Sequence, residues 1–156
     1  MAASFAIRLG NTGDEETIVA HRRAMFSEMG YRDEEALDKM CLAFRPWLER
    51  KMQTGEYLAW FAVAADGSIA AGLGLWLMDW PPHMIGPGAP RGNILNVYTE
   101  PHSRRLGLAR LLMETALAWC RDHGIRAVIL HASSDGRRLY ESLGFKSTNE
   151  MRLEIR

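Results

Sequence analysis

Apolar residues recur along this chain at two periods, and the switches between them mark its elements. Phe5 to Leu9 is a short apolar run that predicts a strand. Asn11-Thr12-Gly13-Asp14 has turn chemistry, with Asp14 placed to cap a helix. That helix is expected from Glu15 to Met29, stopping at Gly30. Asp33 caps a second helix, in which Leu37, Cys41, Phe44 and Leu48 share one face, and Pro46 should kink or split it. Tyr57 to Ala65 and Ser68 to Trp80 read as strands joined by the hairpin turn Asp66-Gly67. Pro81 to Gly92 holds four prolines and must be a loop. Asn93 to Thr99 is the next strand. The helix after it carries Leu108, Leu111, Leu112, Thr115, Ala116 and Trp119 on one face and ends at Gly124. Ala127 to His131 is a short strand, and Gly136 to Leu143 a short helix closed by Gly144. Phe145 to Ile155 is expected to supply a final strand or two.

Strand, helix, strand across residues 93 to 131 is a βαβ unit, so its strands should be parallel with a right-handed crossover. Hairpin strands on either side make the sheet mixed. The fold class is therefore α/β: a mostly antiparallel twisted sheet around a central parallel βαβ unit, with helices on both faces. The 156 residues suit one domain, 1–156, large enough to bury a core without staples.

Composition narrows the function by what it disfavours. Nineteen basic and nineteen acidic residues balance, which argues against a general nucleic-acid or membrane-surface binder. The balance conceals local asymmetry. Residues 101–126 hold five arginines against Glu114 and Asp122, while residues 28–38 hold five acids against Arg32. The acidic stretch suits a cationic acceptor or simply a helix start. Cys41 and Cys120 form no Cys-x-x-Cys and sit in apolar helical patterns, so buried thiols in a reducing compartment, the cytoplasm, are expected. No run approaches the ~18 apolar residues of a membrane span, and the N-terminus has no apolar signal core.

The basic stretch opens with Arg104-Arg105-Leu106-Gly107-Leu108-Ala109-Arg110, between an apolar strand and an amphipathic helix. The first N–H groups of a helix lack internal partners, and the macrodipole adds partial positive charge there. Gly107 and Ala109 leave room for a phosphate to reach the backbone, and Arg104, Arg105 and Arg110 add full charges. The turn predicts a phosphorylated cofactor. About thirty residues later comes Leu139-Tyr140-Glu141-Ser142-Leu143-Gly144-Phe145, entered through Ala132-Ser133-Ser134-Asp135-Gly136.

In this order and spacing the two motifs resemble the GNAT superfamily of acyl-CoA-dependent N-acetyltransferases. The family's phosphate turn, Arg/Gln-x-x-Gly-x-Gly/Ala, is matched by Arg104, Gly107 and Ala109, and Leu-Tyr-x-x-Leu-Gly-Phe is its second signature. The resemblance spans residues 93 to 147. It implies acetyl-CoA as co-substrate, held at the pyrophosphate by the backbone of Arg105 to Arg110, Leu106 and Leu108 included. It implies that Val97, Tyr98 and Thr99 pair with the pantetheine arm in a gap between two splayed parallel strands, where a backbone N–H could steady an oxyanion. Gly92 to Val97 is compatible with a bulge there. Ser133 stands where many relatives carry an asparagine that contacts the cofactor, a departure with shorter reach. Tyr140 matches the family's proton donor.

The expected activity is acetyl transfer to a primary amine by direct attack, and the alternative is a sensor that binds acyl-CoA without turnover. A tyrosine near pKa 10 protonating a thiolate near 8.5 goes uphill by ~1.5 units, so Tyr140 would act as a hydrogen-bond donor or with a shifted pKa. The base is open among Glu28, Asp79, His83 and His131. An amine near pKa 10 is about one part in a thousand neutral at pH 7, so a water chain could replace a base. The acceptor pocket is expected from the first two helices and the loop Pro81 to Gly92, with Trp80 as a wall. Other chemistries fail on spacing. There is no Gly-x-Ser-x-Gly elbow and no Gly-Lys-Ser/Thr, and the histidines lack metal spacing, so no metal is expected. Gly72 and Gly74 lie in a strand without the helix that a dinucleotide turn requires. The expected partners are acetyl-CoA and an unidentified amine, with no nucleic acid and no membrane; a homodimer stays open.

Overall fold

A computed structural model describes residues 3–156. Its elements follow the apolar periods closely. They are β1 (Phe5–Leu9), a 3-10 turn (Thr12–Asp14), α1 (Glu15–Glu28), α2 (Glu34–Gln53), β2 (Tyr57–Ala64), β3 (Ile69–Met78), β4 (Arg91–Thr99), a second 3-10 turn (Pro101–Ser103), α3 (Leu108–Asp122), β5 (Val128–Leu130) and α4 (Arg137–Ser142). The strands lie in sequence order, β1-β2-β3-β4-β5. The first three pairs are antiparallel and β4–β5 is parallel, closed by the α3 crossover.

The sheet is covered on both faces, which is why β2 and β3 read as nearly continuous apolar runs. On one face Trp60, Leu73, Leu75 and Ile94 pack against Leu108, Leu112, Met113 and Ala116 of α3. On the other, Tyr57, Ala59 and Phe61 pack against Ile18 and Val19 of α1 and Phe44 and Leu48 of α2. Among the described residues no helix is long and apolar enough to cross a membrane.

Three expectations need correction. Pro46 neither splits nor ends α2, which runs unbroken from Glu34 to Gln53. A proline removes the bond to the carbonyl four residues back, here Leu42. Leu42 is 72% exposed, so the missing bond falls on the solvent side of α2, while Leu37, Phe44 and Leu48 hold the opposite face in the core. Second, Phe145 to Ile155 forms no strand. The alternating pattern is there, but a strand also needs a neighbour to complete its hydrogen bonds, and within the described chain this segment finds none. Third, only Cys120 is fully buried, its thiol pushed up to about 11 by desolvation; Cys41 is half-buried.

Candidate active site

The parallel pair positions the site. β4 is joined to β5 only at Gly92, Asn93 and Ile94, opposite Val128, Ile129 and Leu130. From Leu95 to Thr99 β4 keeps its β3 partner but loses β5, so one edge of its backbone lies open among the described residues. The divergence coincides with a bulge. Between Gly74↔Leu95 and Gly72↔Tyr98, two steps on β3 face three on β4, and Asn96 takes up the extra residue at φ 54°. A bulge bends a strand and sharpens its twist, and here it begins just where the pairing with β5 ends.

The arginine-rich turn follows β4 directly, so it sits at the carboxyl end of the strands, where open α/β sheets bind ligands. Arg105 at φ 63° and Gly107 at φ 77° both adopt the left-handed conformation. Two left-handed residues so close together keep the backbone from closing a helical turn before Leu108. From Arg105 through Arg110 no backbone N–H donates a hydrogen bond within the described chain; the first to do so is Leu111, to Gly107 at 3.1 Å. These donors stand at the N-terminus of α3, a fifteen-residue helix whose macrodipole reinforces them. Leu108 is buried and anchors the turn, while Arg105, Leu106, Gly107 and Arg110 are exposed.

The arginines divide by direction. The Arg110 guanidinium donates to Ser142 Oγ at 2.6 Å, tying the start of α3 to α4. Arg104 turns back to the other face of the sheet. Its Nε donates to Thr99 O at 3.0 Å, and its Nη2 reaches both carboxylate oxygens of Glu28 at 2.7 and 2.8 Å. Glu28 holds the Arg104 guanidinium above its usual pKa. Arg104 thus braces the end of α1 against the end of β4, with its charge directed at Glu28.

Tyr140 lies on α4 with its ring against Phe145 and the α3 core. A Cβ on Gly136 would come within 2.8 Å of this ring, so the glycine makes room for it. The Tyr140 hydroxyl has no hydrogen-bond partner among the described residues, and burial raises its pKa above 10. Ser133 is exposed at the entry to α4, where its Oγ accepts from Gly136 N–H at 3.2 Å. Val97 packs toward α3 and Tyr98 toward α1; Thr99 accepts the Arg104 bond through its carbonyl.

The face beneath α1 and α2 carries polar groups that periodicity does not reveal. Asn96, at the bulge, donates to the Tyr57 hydroxyl at 2.9 Å and accepts from Arg22 Nη1 at 2.9 Å. Burial pushes the Tyr57 phenol up to about 12. Arg22 lies over the rings of Phe26 and Phe44, and burial lowers its pKa. His21 is buried against Tyr98, with Nε2 3.6 Å from Glu100. Gly72 and Gly74 exist for these neighbours. A Cβ on Gly74 would stand 2.0 Å from the Tyr57 oxygen, and one on Gly72 2.9 Å from His21 Nδ1. The signal for His21 was its spacing three residues after Ile18, on the buried side of α1.

The other base candidates are scattered. Glu28 is committed to Arg104, His83 accepts from Ile85 N–H at 3.1 Å, and His131 is exposed with Glu150 3.9 Å away. The loop Pro81 to Gly92 lies at the amino end of β4, where Trp80, Pro90 and Arg91 line a cleft with Arg126. Arg91 stacks on Trp80, its guanidinium carbon 3.7 Å from the ring centre. The β4 strand of nine residues is roughly 30 Å long, so this cleft stands at the opposite end from the α3 turn.

Comparison with known proteins gives consistent relatives. The model of the acetyltransferase (GNAT) family matches residues 18–145. A mycothiol acetyltransferase from Geodermatophilus obscurus is 30% identical over 137 residues, covering 86% of this chain and 41% of that protein. The chain thus spans about two fifths of the length of that relative. A crystal structure of a GCN5-related N-acetyltransferase from Ralstonia eutropha JMP134 matches with a TM-score of 0.91 at 37% identity, covering 97% of this chain and 99% of that one. A predicted acetyltransferase with acetyl-CoA from Clostridium acetobutylicum matches with a TM-score of 0.86 at 25% identity, covering 98% and 96%.

Proposed function

The chain belongs to the acetyltransferase (GNAT) family, and from that premise we propose that it moves the acetyl group of acetyl-CoA to a primary amine by direct attack. The observation that carries this reading is the unbroken series of unpaired N–H groups from Arg105 to Arg110, set beside the edge of β4 that β5 leaves open. Backbone donors that have no partner inside the fold are free to meet an anion, and a pyrophosphate is the anion whose size and charge suit several at once.

Arg105 to Arg110 hold the pyrophosphate through their backbone, and the open edge at Val97, Tyr98 and Thr99 receives the pantetheine arm as an added strand. The thioester then supplies an activated carbonyl near the Asn96 bulge. The amine nitrogen forms a bond to that carbonyl carbon, and a β4 backbone N–H steadies the oxyanion. As the carbon–sulfur bond breaks, Tyr140 donates a hydrogen bond to the leaving sulfur. Its raised pKa favours this role over full proton transfer, which becomes steeper than ~1.5 units uphill. The amine loses its proton through water. The acceptor enters from the α1–α2 face, over Asn96, Arg22 and Tyr57. This reading sets aside the loop Pro81 to Gly92, which lies at the far end of β4.

The test is a panel of amines with acetyl-CoA, read by release of free thiol and by the mass of the product. Thiol release that depends on the amine, an N-acetylated product and intersecting initial-velocity lines are expected. Parallel lines with an acetylated enzyme would replace direct attack by a two-stage route. Binding of acetyl-CoA without thiol release for any amine would instead favour the sensor.

A further inference from the structure

Two neighbouring arginines of α1 are treated in opposite ways. Arg23 is paired with two acids of α2, Glu34 and Asp38. Arg22 is the more enclosed of the two, yet no carboxylate among the described residues reaches it. Its guanidinium carbon lies 5.0 Å from the ring centre of Phe26 and 4.7 Å from that of Phe44, and Nη1 donates to Asn96 at 2.9 Å. The ionisable groups whose field it feels are the Tyr57 phenol and the Cys41 thiol, not an acid. Its Nε is buried and has no hydrogen-bond partner. A cation held in this way costs stability twice, for the charge without a counter-charge and for the donor without an acceptor.

A second unmatched donor lies on the same face of the sheet. Trp76 of β3 stands opposite Tyr57 of β2 and Asn93 of β4, and its buried Nε1 is unpartnered as well. Trp47 connects the two groups, its ring 5.2 Å from Trp76, 6.1 Å from Tyr57 and 5.8 Å from Phe44. Arg22, Phe44, Trp47, Tyr57 and Asn96 therefore close a circuit of contacts, aromatic on one side and polar on the other. Both unmatched groups here are N–H donors, which cannot satisfy each other; they call for an oxygen acceptor from outside the fold. The acceptor that fits an arginine fork is an anion, and a carboxylate brings one charge to match the one cation of this circuit. A phosphate monoester would bring about −1.5 to −2.

We infer that Arg22 is a specificity residue that binds the carboxylate of the acceptor, and that the acceptor is a free amino acid with an apolar side chain. This rests on the acetyl-transfer reading and names its substrate class. Arg22 is bonded to Asn96 at the bulge, so on that reading the carboxylate and the attacking amine are held by adjoining groups, as the two ends of an α-amino acid require. A peptide N-terminus does not fit, because the carbonyl beside its amine is an uncharged amide. Phe44, Trp47 and Trp76 border the space left for the side chain. The unmatched donors are then the mark of a site whose last partner arrives with the substrate.

Phenylalanine, leucine and methionine, each compared with its own amide, test this directly. The amide is the weaker base and holds more neutral amine at pH 7, so the bias runs against the acids. Wild-type kcat/KM should favour each acid by about thirtyfold or more, chiefly through KM, the loss expected when a buried charge pair is left half made. Arg22→Gln keeps a donor for Asn96 and should bring the acids down to the level of the amides, with the KM for acetyl-CoA unmoved. Arg23→Gln, next to it, should keep the preference. Equal kcat/KM for acid and amide in the wild type would overturn the assignment and leave acetyl transfer standing. An Arg22→Gln variant that retains the preference would overturn it too. No thiol release from any amine would fail the acetyl-transfer reading, and calorimetry, which needs no turnover, then decides the role of Arg22. N-acetylphenylalanine should bind the wild type about tenfold or more tighter than its amide does; absent or equal binding rejects the site. The comparison of acid with amide uses the wild type alone, so an unstable variant does not block it.

Discussion

At the scale of single residues, the site depends on a few side chains for which the backbone has been cleared. Gly74 is the sharpest case. Tyr57 occupies the space its Cβ would need, and Tyr57 in turn holds Asn96 at the bulge. Gly74→Ala should therefore overpack a buried joint and lower stability by about 1–3 kcal/mol, read in urea unfolding. A stability within 0.5 kcal/mol of wild type, an order-of-magnitude bound, would show that the joint yields freely.

His21 gives a pH signature. Burial lowers its pKa, with Glu100 opposing the shift only in part. The unfolded chain, with an ordinary histidine near 6.5, therefore binds the proton first as pH falls. Stability is full above that value and declines as pH drops from about 7 toward the lowered native pKa, because the unfolded state binds more protons in that window. His21→Gln should flatten this part of the curve. The lower decline, where Asp14 loses its pair with Arg8, should persist in the variant.

Tyr140→Phe keeps the ring against Phe145 and removes only the hydroxyl. It should lower kcat by up to about a hundredfold, the low end for proton-donor catalysis, and leave acetyl-CoA binding nearly unchanged. A donor with a more acidic thiol should recover part of the loss. A wild-type kcat, with chemistry shown to be rate-limiting, would make the tyrosine structural.

At the scale of elements, periodicity was enough for most of the architecture. The two helices before the hairpin, the hairpin itself and the βαβ unit all follow from apolar spacing and turn residues. What spacing could not show was where pairing stops. The sheet order, the end of β4–β5 pairing at Ile94 and the bulge at Asn96 are cooperative facts of packing. So is the survival of α2 across Pro46, because the exposure of Leu42 is settled by the fold and not by Pro46. The geometry of the arginine-rich turn was readable because it is local: a strand end, small residues and a helix start. The direction of the Arg104 side chain was not, since Glu28 lies 76 residues away in sequence.

That contrast is testable. Arg104→Ala removes a half-exposed ion pair, worth at most about 1 kcal/mol. It should change acetyl-CoA affinity by less than about fivefold, measured calorimetrically. A loss of a hundredfold or more would show that the Arg104 side chain leaves Glu28 to meet the phosphates.

At the scale of the whole molecule, the two faces of the sheet carry different groups. The α3–α4 face holds the turn of unpaired N–H groups and Tyr140, while the α1–α2 face holds the Asn96 joint, where the proposed reaction would bring the acceptor. The open edge of β4 is the seam between them, and acetyl-CoA lying along it would be bound by both halves. Stabilisation by acetyl-CoA is therefore the most direct measure of the account. At a hundred times its dissociation constant a ligand adds about 2.7 kcal/mol. For a chain of this size that is a rise in Tm of roughly 5–11 °C. The account predicts this rise for the wild type and its loss in Gly107→Glu, which sets bulk and negative charge against the backbone donors of the turn. A Tm unmoved by saturating acetyl-CoA in the wild type, or an undiminished rise in a folded Gly107→Glu variant, would contradict it.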